Sequence, residues 1–191
     1  MKKTKLAIFD LDGTLYDTNY VNYLAYKNAL PEVPEYFTYD FFANECNGKS
    51  YKDFLPGLMG SNEKEEIKRV HQKKKEGYKT YLAHAFENKH LFSIIESISS
   101  EYHIALVTTA SRENVEDILK HFQRRNRFEL IVTNEDVQYS KPNPEGFLKA
   151  MKYFEVSKEN TIIFEDSTTG VEAAERAGAM FFVTRNFDRI R

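Results

Sequence analysis

The sequence predicts an α/β fold, a doubly wound parallel sheet into which an all-helical domain is inserted near the start. Short apolar runs alternate with helical segments after about residue 89, which is typical of a parallel sheet with helices on both faces. Residues 16–88 show one helical segment after another instead. We therefore expect a core domain made of residues 1–15 and 89–191 and a helical domain made of residues 16–88.

The first predicted strand, Lys5 to Phe9, ends in two carboxylates. The run is apolar, contains the β-branched Ile8 and is too short for a helix, so it is predicted to be a buried strand. Asp10 and Asp12 follow it two residues apart, and extended geometry directs both side chains to the same side. Ligands of open α/β sheets bind at the carboxyl ends of the strands. The pair is therefore predicted to line a site.

A cation is predicted between these two carboxylates because they would otherwise repel each other. Oxygen ligands from a few carboxylates, with water and phosphate, suit Mg²⁺. Gly13 permits a sharp turn after Asp12, and Thr14 adds a hydroxyl and an N–H there, so both are predicted to contact the substrate. For the short motif taken alone, an ordinary acidic turn is the alternative.

The helices of the inserted domain are predicted from capping residues and helix breakers. They are a helix from Asn19 to Leu30 capped by Thr18, a helix from Tyr39 to Asn47 capped by Thr38, a helix from Tyr51 to Leu55 stopped by Pro56 and Gly57, and a long helix from Ser61 or Asn62 to about Phe86. Most of the many aromatic residues in this part are predicted to form its core.

The elements after the insertion are predicted to alternate between helix and strand. They are a helix from His90 to Ser99, a strand from His103 to Thr109, a helix from Ser111 to about Phe122, a strand from Leu130 to Thr133, a helix from Asn143 to Phe154, a strand from Thr161 to Phe164, a helix from Gly170 to Ala177 and a strand from Met180 to Thr184. About five parallel strands result.

Three later segments place polar side chains where strands end or helices begin. Thr108 and Thr109 end a strand, and their hydroxyls are predicted to hold phosphoryl oxygens. Lys141 lies in a Ser-Lys-Pro loop, where its ammonium would offset the repulsion among the acids. Glu165 and Asp166 end an apolar strand, and paired acids in that position are costly without a cation. Asp166 is predicted to be a metal ligand, whereas Glu165 is either a second ligand or the holder of a coordinated water.

The motifs from Asp10 to Leu15, at Thr108, at Lys141 and at Asp166 resemble those of the haloacid dehalogenase (HAD) superfamily in type and order. The resemblance covers nearly the whole chain and lies in the subgroup with a helical cap. It implies a HAD-like Rossmannoid core, an aspartate nucleophile at Asp10, a general acid/base at Asp12 and Mg²⁺ bound by Asp10, the Asp12 main-chain carbonyl and Asp166. It further implies a cap that closes over the site and selects a small phosphorylated metabolite.

The expected function is Mg²⁺-dependent hydrolysis of a phosphate monoester through an aspartyl-phosphate. A phospho-acceptor signalling domain is one alternative, disfavoured because its aspartate follows the metal-binding acids along the chain. A phosphomutase of the β-phosphoglucomutase type is another. Like phosphoglycolate phosphatase, that enzyme resembles this chain in layout. However, its pattern has a histidine and an arginine where Asn22 and Tyr51 stand here. Lys49, predicted to bind substrate, or Lys52 would be the substitute for that arginine.

The composition of the chain bears on its binding partners and on its cellular location. The 191 residues carry a net charge of −2, which gives no basic excess for nucleic acid. The single Cys46 excludes an internal disulfide framework and favours a reducing cytoplasm. No run is apolar and long enough for a membrane span, and Asp10 and Asp12 interrupt the only apolar run near the start. We expect a cytoplasmic monomer.

Overall fold

The chain forms two compact units in the computed structural model, which describes residues 3–47, 49–184 and 187. One unit comprises residues up to 17 and from 86 onward, and the other comprises residues 18–85. The sequence prediction put these boundaries at 15/16 and 88/89. Residues 185–186 and 188–191 of the predicted core domain lie outside the described residues.

Seven strands are present in the described residues. They are β1 (Lys5–Phe9), β2 (Tyr16–Asp17), β3 (Phe86–Glu87), β4 (Tyr102–Val107), β5 (Leu130–Val132), β6 (Thr161–Glu165) and β7 (Met180–Val183). Five of them form one sheet in the order β5-β4-β1-β6-β7, with every neighbouring pair parallel. Phe9 at the end of β1 lies opposite Leu106 and Phe164. The polar residues that follow β1, β4 and β6 therefore meet at one edge of the sheet.

In the described residues of the helical unit there are four α-helices, one π-helical turn and one 3-10 segment. They are α1 (Asn19–Ala29), α2 (Tyr39–Phe41) continued by a π-helical turn (Phe42–Cys46), α3 (Tyr51–Met59), α4 (Lys64–Gly77) and a 3-10 segment (Tyr78–His84). Four of the aromatic residues predicted to form its core, Tyr23, Tyr26, Phe37 and Phe42, are buried there together with aliphatic residues such as Leu55. Burying rings of this size supplies most of the packing energy of such a small bundle.

Four α-helices flank the sheet in the described part of the α/β unit: α5 (Lys89–Ile98), α6 (Arg112–His121), α7 (Glu145–Phe154) and α8 (Thr168–Ala177). Helices α7 and α8 pack on one face, where Phe147 and Ala173 join Ile8 and Ile163 in a single buried cluster. Helices α5 and α6 contribute nothing to that cluster and bury their own apolar faces. The predicted doubly wound α/β fold is confirmed.

Two predictions about the helical unit are wrong. Helix α3 does not stop at Pro56 and Gly57 but continues to Gly60, which has a positive φ of 59°. Leu55 and Leu58 lie one turn apart and are both buried, so their packing outweighs the cost of an internal proline, about 3 kcal/mol.

The predicted long helix to about Phe86 ends at Gly77. The chain beyond it tightens into the 3-10 segment and then pairs Phe86 with Asp17 in the short β2–β3 ladder. A ladder of two residues leaves no periodic signal in a sequence. Among the described residues, no helix has both the length and the apolarity to cross a bilayer.

Candidate active site

Asp10 follows the last residue of β1 and is almost completely buried. Its N–H continues the sheet by donating to the carbonyl of Phe164, at 3.0 Å, which fixes the backbone from which the carboxylate projects. The side chain is 9% exposed. A carboxylate with so little water around it requires partners within the protein.

Lys141 supplies the nearest positive charge to Asp10. Its Nζ donates to Asp10 Oδ1 at 2.6 Å, to Glu165 Oε1 at 2.5 Å and to the carbonyl of Val107 at 3.1 Å. The ammonium also lies 5.1 Å from the centre of the Phe147 ring. Three acceptors match the three hydrogens of an ammonium, so Lys141 is held in one orientation.

Glu165, the last residue of β6, is fully buried and has protein donors on both oxygens. Oε1 accepts from Lys141, and Oε2 accepts from the N–H groups of Asp166 and Ser167 and from the Ser167 hydroxyl. A Cβ at Gly170 would lie only 1.8 Å from Oε1, so the start of α8 must carry a glycine there. Sequence reasoning missed Ser167 and Gly170 because each acts only through this tertiary contact.

Asp166 faces the turn that follows β1. The Thr14 hydroxyl donates to Asp166 Oδ1 at 2.9 Å, and a Cβ at Gly13 would lie 2.0 Å from Oδ2. The Gly13 N–H donates to the carbonyl of Tyr16 at 2.8 Å, and Thr14 is fully buried. The structure thus shows Gly13 and Thr14 in contact with Asp166 and with the turn itself, and their predicted contact with substrate stays a prediction.

Thr108 and Thr109 follow β4 at the same edge. Thr108 is buried, its N–H donates to the carbonyl of Val132 at 3.0 Å, and its hydroxyl accepts from the N–H of Ala110 at 3.1 Å. The Thr109 side chain is exposed. Thr108 is thus fixed by the sheet, and the next residue is accessible to a bound group.

Negative charge is in excess at this edge. Burial raises the pKa of Asp10 well above its usual value, the Lys141 ammonium opposes this rise, and the Glu165 and Asp166 carboxylates add to it. Burial likewise raises the pKa of Asp166 to about 6, with a hydrogen bond from Thr14 opposing the rise and Glu165 and Asp12 adding to it.

Lys141 shows the complementary effect. Burial alone would lower its pKa, but the carboxylates of Asp10 and Glu165 raise it above the usual value. The lysine is therefore charged, and among the residues that the structure describes it is the ammonium that faces these acids.

The sequence matches the family described as haloacid dehalogenase-like hydrolase over residues 7–184, almost its full length. The chain belongs to that family. The order of the polar motifs in this haloacid dehalogenase-like hydrolase is the one expected from the resemblance. The predicted membership of the HAD superfamily is confirmed.

The relatives of this HAD-family chain include named phosphatases. It is 31% identical to the phosphorylated carbohydrates phosphatase of Thermotoga maritima over 90% of this chain and 80% of that protein. It is 26% identical to the fructose-1-phosphate phosphatase YqaB of Escherichia coli over 90% of this chain and 91% of that protein. The predicted enzyme class, a phosphatase of the HAD superfamily, is confirmed.

Solved structures show the same fold. CbbY from Rhodobacter sphaeroides, crystallised in complex with phosphate, has a TM-score of 0.80 and 22% identity over 98% of this chain and 89% of that one. At that identity the likeness supports the α/β architecture alone.

The acids of this HAD-family site fit a metal ion. One oxygen each from Asp10, Glu165 and Asp166 lies within 4.8 Å of the others. All three donors are hard carboxylate oxygens, which suit Mg²⁺. The raised pKa values of Asp10 and Asp166 are a second sign of fit, because a cation would offset both the burial that mainly raises them and the repulsion from neighbouring carboxylates that adds to it. Glu165 is the weakest candidate ligand, since protein donors occupy both its oxygens.

Three residues singled out in the helical unit have partners within that unit. Lys49 pairs with Glu45 at 3.7 Å on the surface. Asn22 donates from its amide to the Thr18 hydroxyl at 3.2 Å. The Tyr51 ring stacks on His71 with centroids 3.8 Å apart.

Proposed function

We propose that this protein hydrolyses small phosphate monoesters of the sugar-phosphate class, through an aspartyl-phosphate on Asp10 and with Mg²⁺ as cofactor. The observation that carries the proposal is the Asp10 carboxylate, buried at the end of β1, bonded to Lys141 and adjacent to Asp166. The phosphatase names among the relatives support the substrate class.

Asp10, Asp166 and the main-chain carbonyl of Asp12 would hold the Mg²⁺. When bound, the ion supplies positive charge that offsets repulsion between the acids and the incoming phosphate. Glu165 has a different function in this proposal: it fixes the position of Lys141, because one of its oxygens accepts from that ammonium and the other anchors the start of α8.

In the first step, a carboxylate oxygen of Asp10 attacks phosphorus and the bond from phosphorus to the ester oxygen breaks. Asp12, protonated at this point, donates its proton to the leaving alkoxide. The alcohol departs, and the phosphoryl group stays on Asp10. Lys141 stabilises the charge on the transferring group, since its ammonium already lies 2.6 Å from Asp10 Oδ1.

In the second step, water attacks the phosphorus of the aspartyl-phosphate. Asp12, now ionised, accepts the proton of that water, and the bond from phosphorus to Asp10 breaks to release inorganic phosphate. Thr108 and the accessible Thr109 would hold the non-bridging oxygens in both steps, because phosphoryl transfer depends mainly on positioning and charge stabilisation. We also propose that the helical unit is the cap that selects the substrate.

The direct test is phosphate release from a panel of sugar phosphates, with Mg²⁺ and with excess chelator. We expect activity only with Mg²⁺ and none from Asp10→Asn, because the amide is neither a nucleophile nor an anionic ligand. Rapid acid quench and peptide mass spectrometry should find the phosphoryl group on the Asp10 peptide. Full activity in chelator would contradict the metal assignment, and an active Asp10→Asn variant would contradict the nucleophile.

A second prediction separates the phosphatase from a phosphomutase. A mutase must bind the phosphate group of a sugar phosphate before its aspartyl-phosphate is hydrolysed. An arginine can bind such a group through two charge-assisted hydrogen bonds, whereas a tyrosine offers a single hydroxyl. Tyr51 is stacked on His71, and Lys49 is paired with Glu45. With β-glucose 1-phosphate, a trace of the bisphosphate and Mg²⁺, we expect free phosphate to exceed glucose 6-phosphate. Faster isomerisation than phosphate release would refute this reading.

A further inference from the structure

The Thr14 side chain is fully buried, so its hydroxyl has no access to a substrate. Its one hydrogen is donated to Asp166 Oδ1, across 152 positions of the chain. The backbone of the same residue is fixed independently, because the side-chain amide of Asn88 donates to the Thr14 carbonyl at 3.2 Å. Thr14 therefore holds Asp166 from a rigid position.

Gly13 restricts the same carboxylate from another side. Its backbone has a φ of 89°, and the absence of a Cβ leaves the space that Asp166 occupies, with Oδ2 only 2.0 Å from where that atom would be. The carboxylate is packed against the glycine backbone and bonded to the neighbouring hydroxyl. These two contacts leave it little freedom to rotate.

Thr184, the residue after β7, extends this arrangement by one more group. Its hydroxyl lies 3.4 Å from the Thr14 hydroxyl and 3.2 Å from the carbonyl of Glu165, and can donate to either. Its N–H donates to the same carbonyl at 2.7 Å, which fixes the backbone beside Thr14. Since the Thr14 hydrogen is used by Asp166, any hydrogen bond between the two hydroxyls has Thr184 as donor and the Thr14 oxygen as acceptor.

We infer that Thr14 and Thr184 are positioning residues that orient the Asp166 carboxylate for metal binding, with Thr14 acting directly and Thr184 acting through Thr14. This inference rests on the proposed function, since it assumes that Asp166 is a metal ligand. It assigns the Thr14 hydroxyl to the metal site, and it brings into the site the residue that follows β7.

The physical reason is preorganisation. A ligand carboxylate that is already held in its binding orientation loses less conformational freedom when the ion arrives. Hydrogen bonds to metal ligands commonly change metal affinity by about 10–100-fold when they are removed. Thr14 contacts Asp166 directly, so removal of its hydroxyl should have the larger effect on metal affinity. Thr184 acts only through Thr14, so removal of its hydroxyl should have the smaller effect.

The test measures metal affinity without substrate. Mn²⁺, which takes the same oxygen ligands, is titrated into the full protein while the free ion is followed by electron paramagnetic resonance, and Mg²⁺ is then added as competitor. We expect Thr14→Val to weaken Mn²⁺ binding about 10–100-fold. Thr184→Val should weaken it by less, and Thr14→Ser should bind as the wild type does because the hydroxyl remains.

Thr133→Val is the matched control. Thr133 is also fully buried after a strand of the same sheet and also donates its hydroxyl to an aspartate, but that aspartate is Asp136, outside the acidic cluster. We expect its Mn²⁺ affinity to equal that of the wild type. Circular dichroism establishes that each variant is folded.

The outcomes separate the two proposals. A wild type that binds Mn²⁺ with a Thr14→Val variant that binds it equally well overturns this inference alone. Weakening by Thr133→Val as large as by Thr14→Val would overturn it too, since the effect would then be general. If Thr14→Val does not fold, Thr184→Val decides: weaker binding supports the inference and unchanged binding overturns it. A wild type that binds neither ion removes the metal from the proposed function, and this inference falls with it.

Discussion

The ends of β5 and β6 both carry an aspartate that accepts a hydrogen bond from a threonine hydroxyl. The negative charge is compensated by nearby protein groups at the end of β5, and it is in excess at the end of β6. After β5, Asp136 accepts from the N–H and hydroxyl of Thr133 at 2.7 and 2.8 Å and pairs with the Arg112 guanidinium. After β6, Asp166 shares its surroundings with two further acids, and Lys141 is the ammonium that faces Asp10 and Glu165.

The pKa directions record this difference. Burial would raise the pKa of Asp136, but the hydrogen bonds from Thr133 and the Arg112 charge outweigh it and lower the pKa below the usual value. At Asp166 the corresponding balance goes the other way, and the pKa rises to about 6. A hydrogen-bonded acid that follows a strand is therefore no mark of a metal site by itself. What distinguishes the end of β6 is negative charge that the described protein groups do not compensate.

The largest effect should come from removing the Lys141 ammonium, which pairs with Asp10 and Glu165. We expect Lys141→Met to lower kcat about 10²–10³-fold, because a group that stabilises the transferring charge is lost. The free energy of unfolding should fall by roughly 3 kcal/mol, because buried Asp10 and Glu165 lose their partner. Steady-state kinetics and urea denaturation measure the two.

Arg112→Met is the control for this prediction. This substitution removes the guanidinium that pairs with Asp136 after β5, and that ion pair is exposed. The free energy of unfolding should therefore change by less than about 1 kcal/mol, and kcat should stay unchanged. Equal losses of activity in the Lys141 and Arg112 variants would contradict the distinction between the two strand ends.

Much of the candidate active site could be predicted from the sequence because the carboxyl ends of parallel strands lie at one edge of the sheet. Asp10, Thr108 and Asp166 each follow an apolar run, and the structure places all three after β1, β4 and β6. The turn at Gly13, directly after Asp10 and Asp12, could also be predicted. The partners of these groups were not, because Thr14 and Asp166 are 152 positions apart and Thr184 and Thr14 are 170 apart.

The helical unit was harder to predict for a related reason. A proline and a glycine, Pro56 and Gly57, are reliable local signals for a break, yet the burial of Leu55 and Leu58 keeps α3 continuous. Local propensity is a weak prior that tertiary packing overrides. In the core, by contrast, β1 was predicted with the bounds that the structure has, because an apolar run ended by charge is a strong signal.

A smaller effect should appear in the pH dependence of the metal-free protein. The pKa of Asp166 is raised to about 6 from 3.8, so the folded state binds this proton more tightly than the unfolded state does. Its contribution to stability is therefore present at low pH and is lost as the pH rises through about 6. We expect the free energy of unfolding in chelator to gain about 1 kcal/mol from this group between about pH 7 and about pH 5.

Asp166→Asn is the comparison for the pH experiment, since it removes the titrating group. Its unfolding free energy should show less gain over the same range, and excess Mg²⁺ should abolish the gain in the wild type because the ion competes with the proton. Identical pH profiles for the two proteins in chelator would show that the Asp166 carboxyl is not the source.

The smallest effect on activity is expected at the compensated end of β5. Asp136→Ala removes the acceptor of two Thr133 donors and the partner of Arg112, so the free energy of unfolding should fall by about 1–2 kcal/mol. Because Asp136 has no place among the clustered acids, kcat and the affinity for Mn²⁺ should both match the wild type. Glu135→Ala, which removes only the acceptor of the Arg112 N–H, should cost less. If Asp136→Ala lost activity while keeping wild-type stability, the end of β5 would belong to the active site, and charge excess would no longer be what separates the two strand ends.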